Sequence, residues 1–158
     1  MEYCLQDARE RGKSGVCMLG ADKQKAWLSD QAFAQKFGFE TVDATEYGYQ
    51  LLACSLDGTV PRFSPAAKRG EIDGQELTVY YDFQCPYICQ SVELIRQYCG
   101  ERQIPVSLRL VDTQQKAKEL PCVFNNWAVF YQGKLQTVNL LDAAALKRMF
   151  QREEGRPV

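Results

Sequence analysis

Two kinds of apolar spacing alternate along this chain, and the alternation lays out its elements. Met1, Cys4, Leu5 and Ala8 recur at helical spacing as far as Gly12, and Val16 to Leu19 follow as a short apolar strand. Ser29 stands where a helix cap belongs, Leu28 and Phe33 are spaced as a hydrophobic staple, and Gly38 is placed to end that helix. Phe39 to Val42 and Tyr47 to Ser55 read as the strands of a hairpin. From Asp57 to Glu76 the periodicity dissolves. Gly58, Pro61, Pro65, Gly70 and Gly74 stand among charges there, which predicts a linker partly packed through Phe63.

From Leu77 onward the predicted order is βαβαββα. Leu77, Val79, Tyr81 and Phe83 alternate on one strand, and Val106, Leu108 and Leu110 on a second. Between them Ile88, Val92, Ile95 and Cys99 form a helical stripe that faces a core. Trp127 to Tyr131 and Leu135 to Leu140 make a hairpin across Gln132-Gly133-Lys134. Asp142 caps a last helix, with Leu141 and Leu146 as its staple and Met149 and Phe150 turned inward. The prediction is an α/β chain divided at residues 1–56, 57–76 and 77–158.

Charge and composition narrow the function. A net charge of −1 over 158 residues gives no global field to draw nucleic acid or anionic lipid. No apolar run approaches the roughly 18 residues that span a bilayer. The first residues show no basic segment followed by an apolar one, so no signal peptide is expected. Seven cysteines, an odd count, then predict free thiols in a reducing cytoplasm. Histidine is absent, which excludes Cys-His and Ser-His catalysis and any zinc site that needs imidazole. No metal is expected from the cysteines either, because Cys99 belongs to the apolar stripe at the far end of its helix from Cys85 and Cys89. Cys4, Cys17 and Cys54 fall in apolar patterns and are expected in cores.

The densest chemistry lies in Tyr80-Tyr81-Asp82-Phe83-Gln84-Cys85-Pro86-Tyr87-Ile88-Cys89. A strand runs into a cysteine at a helix cap with proline at the first helical position. Unpaired N–H groups and the positive helix end favour a thiolate there, so Cys85 is a candidate nucleophile. Cys89 follows four residues later, about 40° around the helix, where either a strained, reducible bond or two free thiols can be accommodated. Cys122, after Pro121, is an alternative resolving thiol or a half-buried spectator. Tyr87 is the aromatic expected beside a ligand pocket.

Two resemblances add to this reading. Gly15 to Leu19 as a late strand, then Trp27-Leu28-Ser29-Asp30-Gln31-Ala32-Phe33-Ala34-Gln35-Lys36-Phe37-Gly38-Phe39 with Glu40 to Asp43 and Tyr49 to Leu52 as strands, resemble the C-terminal half of a GNAT-family N-acetyltransferase. That family holds the acetyl-CoA pyrophosphate in a glycine-rich loop of the Arg/Gln-x-x-Gly-x-Gly/Ala type, which this sequence does not contain. The family's frequent tyrosine acid falls at Ala34, which has no proton to donate. Tyr80 to Tyr87 and Ala128-Val129-Phe130-Tyr131-Gln132-Gly133-Lys134 resemble a YoaP-type domain, a thioredoxin-like unit that follows a GNAT domain. The cis-proline of thioredoxins would fall near Asn125 and Asn126, and the nearest proline is Pro121, so a peptide clamp of that kind is not expected.

These resemblances imply a partial GNAT-like sheet followed by a minimal thioredoxin-like domain. The intact family protein would move acetyl from acetyl-CoA to an amine; this chain alone is expected to bind no acetyl-CoA and to be inactive. A thiol redox module using Cys85 with Cys89 or Cys122 is one alternative, and a non-catalytic protein-binding module is another. An exposed edge of the partial sheet is expected to be covered by the second domain, by the linker or by the same edge in a homodimer. The substrate, small molecule or protein, is not fixed by the sequence; nucleic acid and membrane are not expected partners.

Overall fold

The structure is a computed structural model that describes residues 1–23, 25, 27–124 and 126–153. The chain divides into two compact units, Met1–Arg69 and Gly70–Val158. The described residues form a mixed α/β protein with two sheets and six helices.

In the first unit α1 (Glu2–Glu10) precedes β1 (Gly15–Ala21), α2 (Gln31–Gln35), β2 (Glu40–Ala44), β3 (Tyr49–Ser55) and α3 (Pro65–Lys68). The three strands pair antiparallel in the order β1-β3-β2. Leu5 of α1, Ala34 of α2, Phe39 and Leu52 of β3 close a small core, so each helix is held by one apolar face rather than by its own propensity. α2 starts one residue later than expected. Asp30 is the cap, its carboxylate accepting the Ala32 N–H at 2.9 Å, and Gly38 at φ +81° turns the chain beyond the helix as predicted. Phe33 does not act as a staple; it is half exposed and meets Phe37.

Two of the cysteines expected in a core, Cys4 and Cys17, are exposed instead, because each occupies the outward position of its helix or strand. Within the stretch read as a linker, Ser64 caps α3 by accepting the Ala67 N–H at 3.1 Å. The Asp43 carboxylate accepts the Phe63 N–H at 2.9 Å and pairs with Lys68 at 2.5 Å, and the Tyr47 hydroxyl donates to the Ala67 carbonyl. Residues 63–68 are thereby fastened to the β2–β3 hairpin. On the other side of the sheet, no strand pairs with the outer edge of β1 among the described residues.

The second unit contains β4 (Leu77–Tyr81), α4 (Pro86–Glu101), β5 (Val106–Leu110), α5 (Gln114–Glu119), β6 (Trp127–Tyr131), β7 (Lys134–Thr137) and α6 (Ala143–Glu153), the βαβαββα order read from the sequence. The strands lie in the order β5-β4-β6-β7, with β4 and β5 parallel and the other pairs antiparallel. Ile88, Val92, Ile95 and Cys99 of α4 and Leu146 and Met149 of α6 bury one face of the sheet through Leu77, Val79, Trp127 and Val129. β4 stops at Tyr81, short of Phe83, because Asp82 turns back on the Gln84 N–H. β7 stops at Thr137, short of Leu140, because the Thr137 hydroxyl accepts the Asn139 N–H at 3.0 Å.

Candidate functional site

Parallel pairing of β4 and β5 brings their C-terminal ends to one end of the sheet, where the loops to α4 and α5 diverge. Crevices of this kind, outside the carboxyl ends of strands, are where open α/β sheets bind ligands. The Val111 N–H continues the ladder by donating to the Tyr81 carbonyl at 2.8 Å, and the Asp82 N–H donates to the Asn126 carbonyl at 3.1 Å. Beyond those bonds the chains part around a cleft of about 650 Å³ walled by Phe83, Leu110, Val111 and Phe124, with Asp82 and Asp112 as its charged groups.

The two carboxylates are in different states of satisfaction. Asp112 pairs with Lys116 at 2.6 Å, and that lysine hydrogen bond holds its carboxyl below the usual range. Thr113 caps α5 by accepting the Lys116 N–H at 3.2 Å, which fixes the loop that carries Asp112. Asp82 is only 8% exposed, and its carboxylate accepts the Gln84 N–H at Oδ1, 2.9 Å away. A smaller cleft of about 480 Å³ runs over Tyr80, Arg109 and Leu120. Its arginine is already engaged with the Tyr80 hydroxyl and the Ser107 hydroxyl, both at 3.1 Å.

The thiols singled out by the sequence lie around the start of α4. Cys85 is its cap residue, with extended backbone and Pro86 at the first helical position; its side chain makes no capping bond and packs, half-buried, against the core. Cys89 is exposed one turn on, and Tyr87 is 65% exposed on the first turn. Cys122 is buried, and burial pushes its thiol up to about 12, so it stays protonated at neutral pH. Every cysteine is free in this structure. None of Cys85, Cys89, Cys122 or Tyr87 lines the 650 Å³ cleft. Asn125, at the position compared with a cis-proline, lies outside the described residues.

Sequence reasoning missed Asp82, Phe83, Asp112 and Phe124 as a set. Its own strands already placed the two loops at the ends of β4 and β5, and that was the available signal. Among the described residues no cluster of three potential metal ligands occurs, and no helix is long and apolar enough to cross a membrane.

Two described positions of the first unit do not suit acetyl-CoA. Ala34, where the tyrosine acid would stand, is wholly buried in the core and offers no proton. The first turn of α1 carries Glu2, whose charge opposes a pyrophosphate at that helix end.

Residues 105–148 match the YoaP-like family model. Over 151 residues, 94% of this chain, the sequence is 22% identical to the uncharacterized N-acetyltransferase YoaP of Bacillus subtilis (strain 168). The chain spans 60% of the length of that relative. No solved structure matches it. Both units thus fall within a stretch similar to YoaP, and the later part of the second carries a YoaP-like domain match.

Proposed function

We propose that this chain provides the C-terminal part of a YoaP-type N-acetyltransferase, whose reaction moves acetyl from acetyl-CoA to an amine. The observation that carries this reading is the similarity to the Bacillus subtilis protein along 94% of the chain. The first unit supports it: α1, α2 and the antiparallel β1-β3-β2 sheet are what the GNAT resemblance leads one to expect of the last part of that fold. The second unit, with its β5-β4-β6-β7 order and one parallel pair, agrees with a thioredoxin-like reading and is assigned to acceptor binding or regulation.

On this reading a glycine-rich segment outside residues 1–158 supplies the pyrophosphate loop, and the outer edge of β1 is where that segment, or a second copy of this chain, docks. Residues 1–158 alone bind no coenzyme A. The test is coenzyme A release from acetyl-CoA in the presence of primary amines. Material isolated from the protein's own cells and containing this chain is expected to turn over. The chain by itself is expected not to. No turnover by the native material would sink the reading, and coenzyme A binding by residues 1–158 alone would sink the division of labour.

A further inference from the structure

Backbone hydrogen bonds at the two ends of β1 tell which of its groups face outward. The Leu56 N–H donates to the Ser14 carbonyl at 2.8 Å, and the Asp22 N–H to the Gly48 carbonyl at 3.1 Å. In an antiparallel ladder such bonded pairs recur at every second residue. The even-numbered residues of β1 therefore turn their N–H and C=O groups to β3, and Gly15, Cys17, Leu19 and Ala21 turn theirs to the outer edge. The Gln31 side-chain amide already donates to the Ala21 carbonyl. Gly15, Cys17 and Leu19 keep both backbone groups open, and no strand meets them among the described residues.

Nothing on this edge discourages a strand from adding to it. β1 pairs with β3 along its whole length without a bulge, and Gly-Val-Cys-Met-Leu-Gly-Ala holds no charge and no proline. β2, the other edge of the same sheet, breaks register between Thr41 and Asp43 and exposes Glu40. Bulges and charges of that kind keep edges from pairing. The open set on β1 is symmetric about Cys17, so a twofold axis there makes it complementary to itself.

Charge picks the register. With the axis at Cys17, Gly15 lies opposite Leu19 of the second copy, and Lys13 opposite its Ala21, one position from its Asp22. Lys13 and Asp22 are both exposed, and neither is in an ion pair among the described residues. Moving the axis to Met18 would set Lys13 against Lys23 of the second copy and call on the Ala21 carbonyl that Gln31 holds.

We propose that two copies of this chain join β1 to β1, antiparallel about Cys17, with Lys13 of each copy beside Asp22 of the other. The pairing selects one of the two occupants that the acetyl-transfer reading leaves for this edge, and it does not require acetyl transfer.

Sedimentation of residues 1–158 and a thiol trap test it. A strand-to-strand contact lies at the small end of specific interfaces, so half-association is expected at about 10 µM. Bonded antiparallel partners stand about 5.5 Å apart at Cα, within the span of a disulfide. With Cys4 and Cys89 changed to serine, oxidised glutathione is expected to bridge Cys17 to Cys17 of the second copy, each bridge reducing one glutathione disulfide to two thiols. Peptide mass spectrometry locates the bridge. About Met18 the same sulfurs would be diagonal neighbours, out of reach. Cys17→Lys, at an exposed position, sets two like charges face to face and is expected to weaken association at least about tenfold, with the fold kept by circular dichroism. Lys13→Glu is expected to weaken it about threefold, and adding Asp22→Lys to restore it. A monomer at concentrations about tenfold above that midpoint, a dimer that no Cys17 bridge traps, full association in Cys17→Lys, or no rescue by the charge swap would each overturn the proposal. A monomeric chain with coenzyme A release intact in the native material removes this interface and spares the acetyl-transfer reading. A bridged dimer with no release does the reverse.

Discussion

The Asp82 carboxylate accepts the backbone N–H of Gln84 at 2.9 Å, and this one bond ends β4 and aims the chain into α4. Only Phe83 and Gln84 separate Asp82 from Cys85, so the same turn sets the cap position of the helix. Asp82→Ala leaves the Gln84 N–H without its partner and is expected to cost about 1 kcal/mol. Thermal unfolding should show it as a fall of about 4–8 °C in Tm, with Asp82→Asn close to the parent. An unchanged Tm in the alanine variant would mean the turn is held by other contacts.

Cys122 gives a pH-dependent stability with a definite sign. Burial raises its thiol from an ordinary value of 9.0 to about 12 in the folded state. The unfolded chain therefore loses that proton first as pH rises, and the folded state falls behind by about 1.4 kcal/mol per pH unit across that window. The contribution is complete below pH 9.0 and is lost on the way to about 12. Urea unfolding at several alkaline pH values should show a shallower decline for Cys122→Ala than for the parent. Parallel slopes would count against the assignment.

Alkylation should sort the thiols by burial. Cys4, Cys17 and Cys89 are exposed and are expected to react with iodoacetamide in the native state, whereas Cys99 and Cys122 react only on unfolding. Peptide mass spectrometry after a short pulse reads this directly, and rapid native labelling of Cys122 would contradict its buried position.

The β6–β7 turn is a stability lever. Gln132 at φ +51° and Gly133 at φ +78° both occupy left-handed backbone, as a two-residue hairpin turn requires. A Cβ at position 133 would lie 3.0 Å from the Ile72 carbonyl oxygen. Gly133→Ala is expected to destabilise by about 1 kcal/mol or more, and Gln132→Asn to stabilise by a few tenths. Chemical denaturation of the two variants checks both signs.

Residues 63–68 depend on one carboxylate. The Lys68 hydrogen bond, with the Phe63 N–H as a further donor, lowers Asp43 below its ordinary 3.8. Its stabilising effect is present above that value and is lost as pH falls below it. Asp43→Ala should therefore speed proteolytic cutting between 57 and 69 at neutral pH, while leaving the sites near Gly133 unchanged. Equal cutting in parent and variant would show that other contacts hold the segment.

Periodicity made the second unit legible almost strand by strand, because Leu77, Val79 and Tyr81 alternate and Ile88, Val92, Ile95 and Cys99 keep helical spacing. Ends were harder to read. Asp82 and Thr137 stop their strands by bonding to N–H groups two residues on, and a pattern of apolar letters carries no trace of that competition. The cap at Cys85 was readable from Pro86. The cleft was not, since Asp82 and Asp112 meet through the parallel register of β4 and β5, and Phe124 joins them through the antiparallel pairing of β6 with β4. Cys4 and Cys17 were misplaced for a related reason: an apolar neighbour on either side does not say which face a residue takes.

The short run before β4 also decides how this sheet can grow. Residues 70–75 bond to the β6–β7 hairpin through the Ile72 N–H to the Gly133 carbonyl and the Leu135 N–H to the Gly70 carbonyl, both near 2.9 Å, and Glu71 bridges Lys134. That cover lies over the start of β7 against recruitment of a stray chain. At the other edge of the sheet, among the described residues, β5 has no such cover, and it follows Pro105 and carries Arg109 one residue before its end, a blocked donor and a charge that discourage fibre-like stacking.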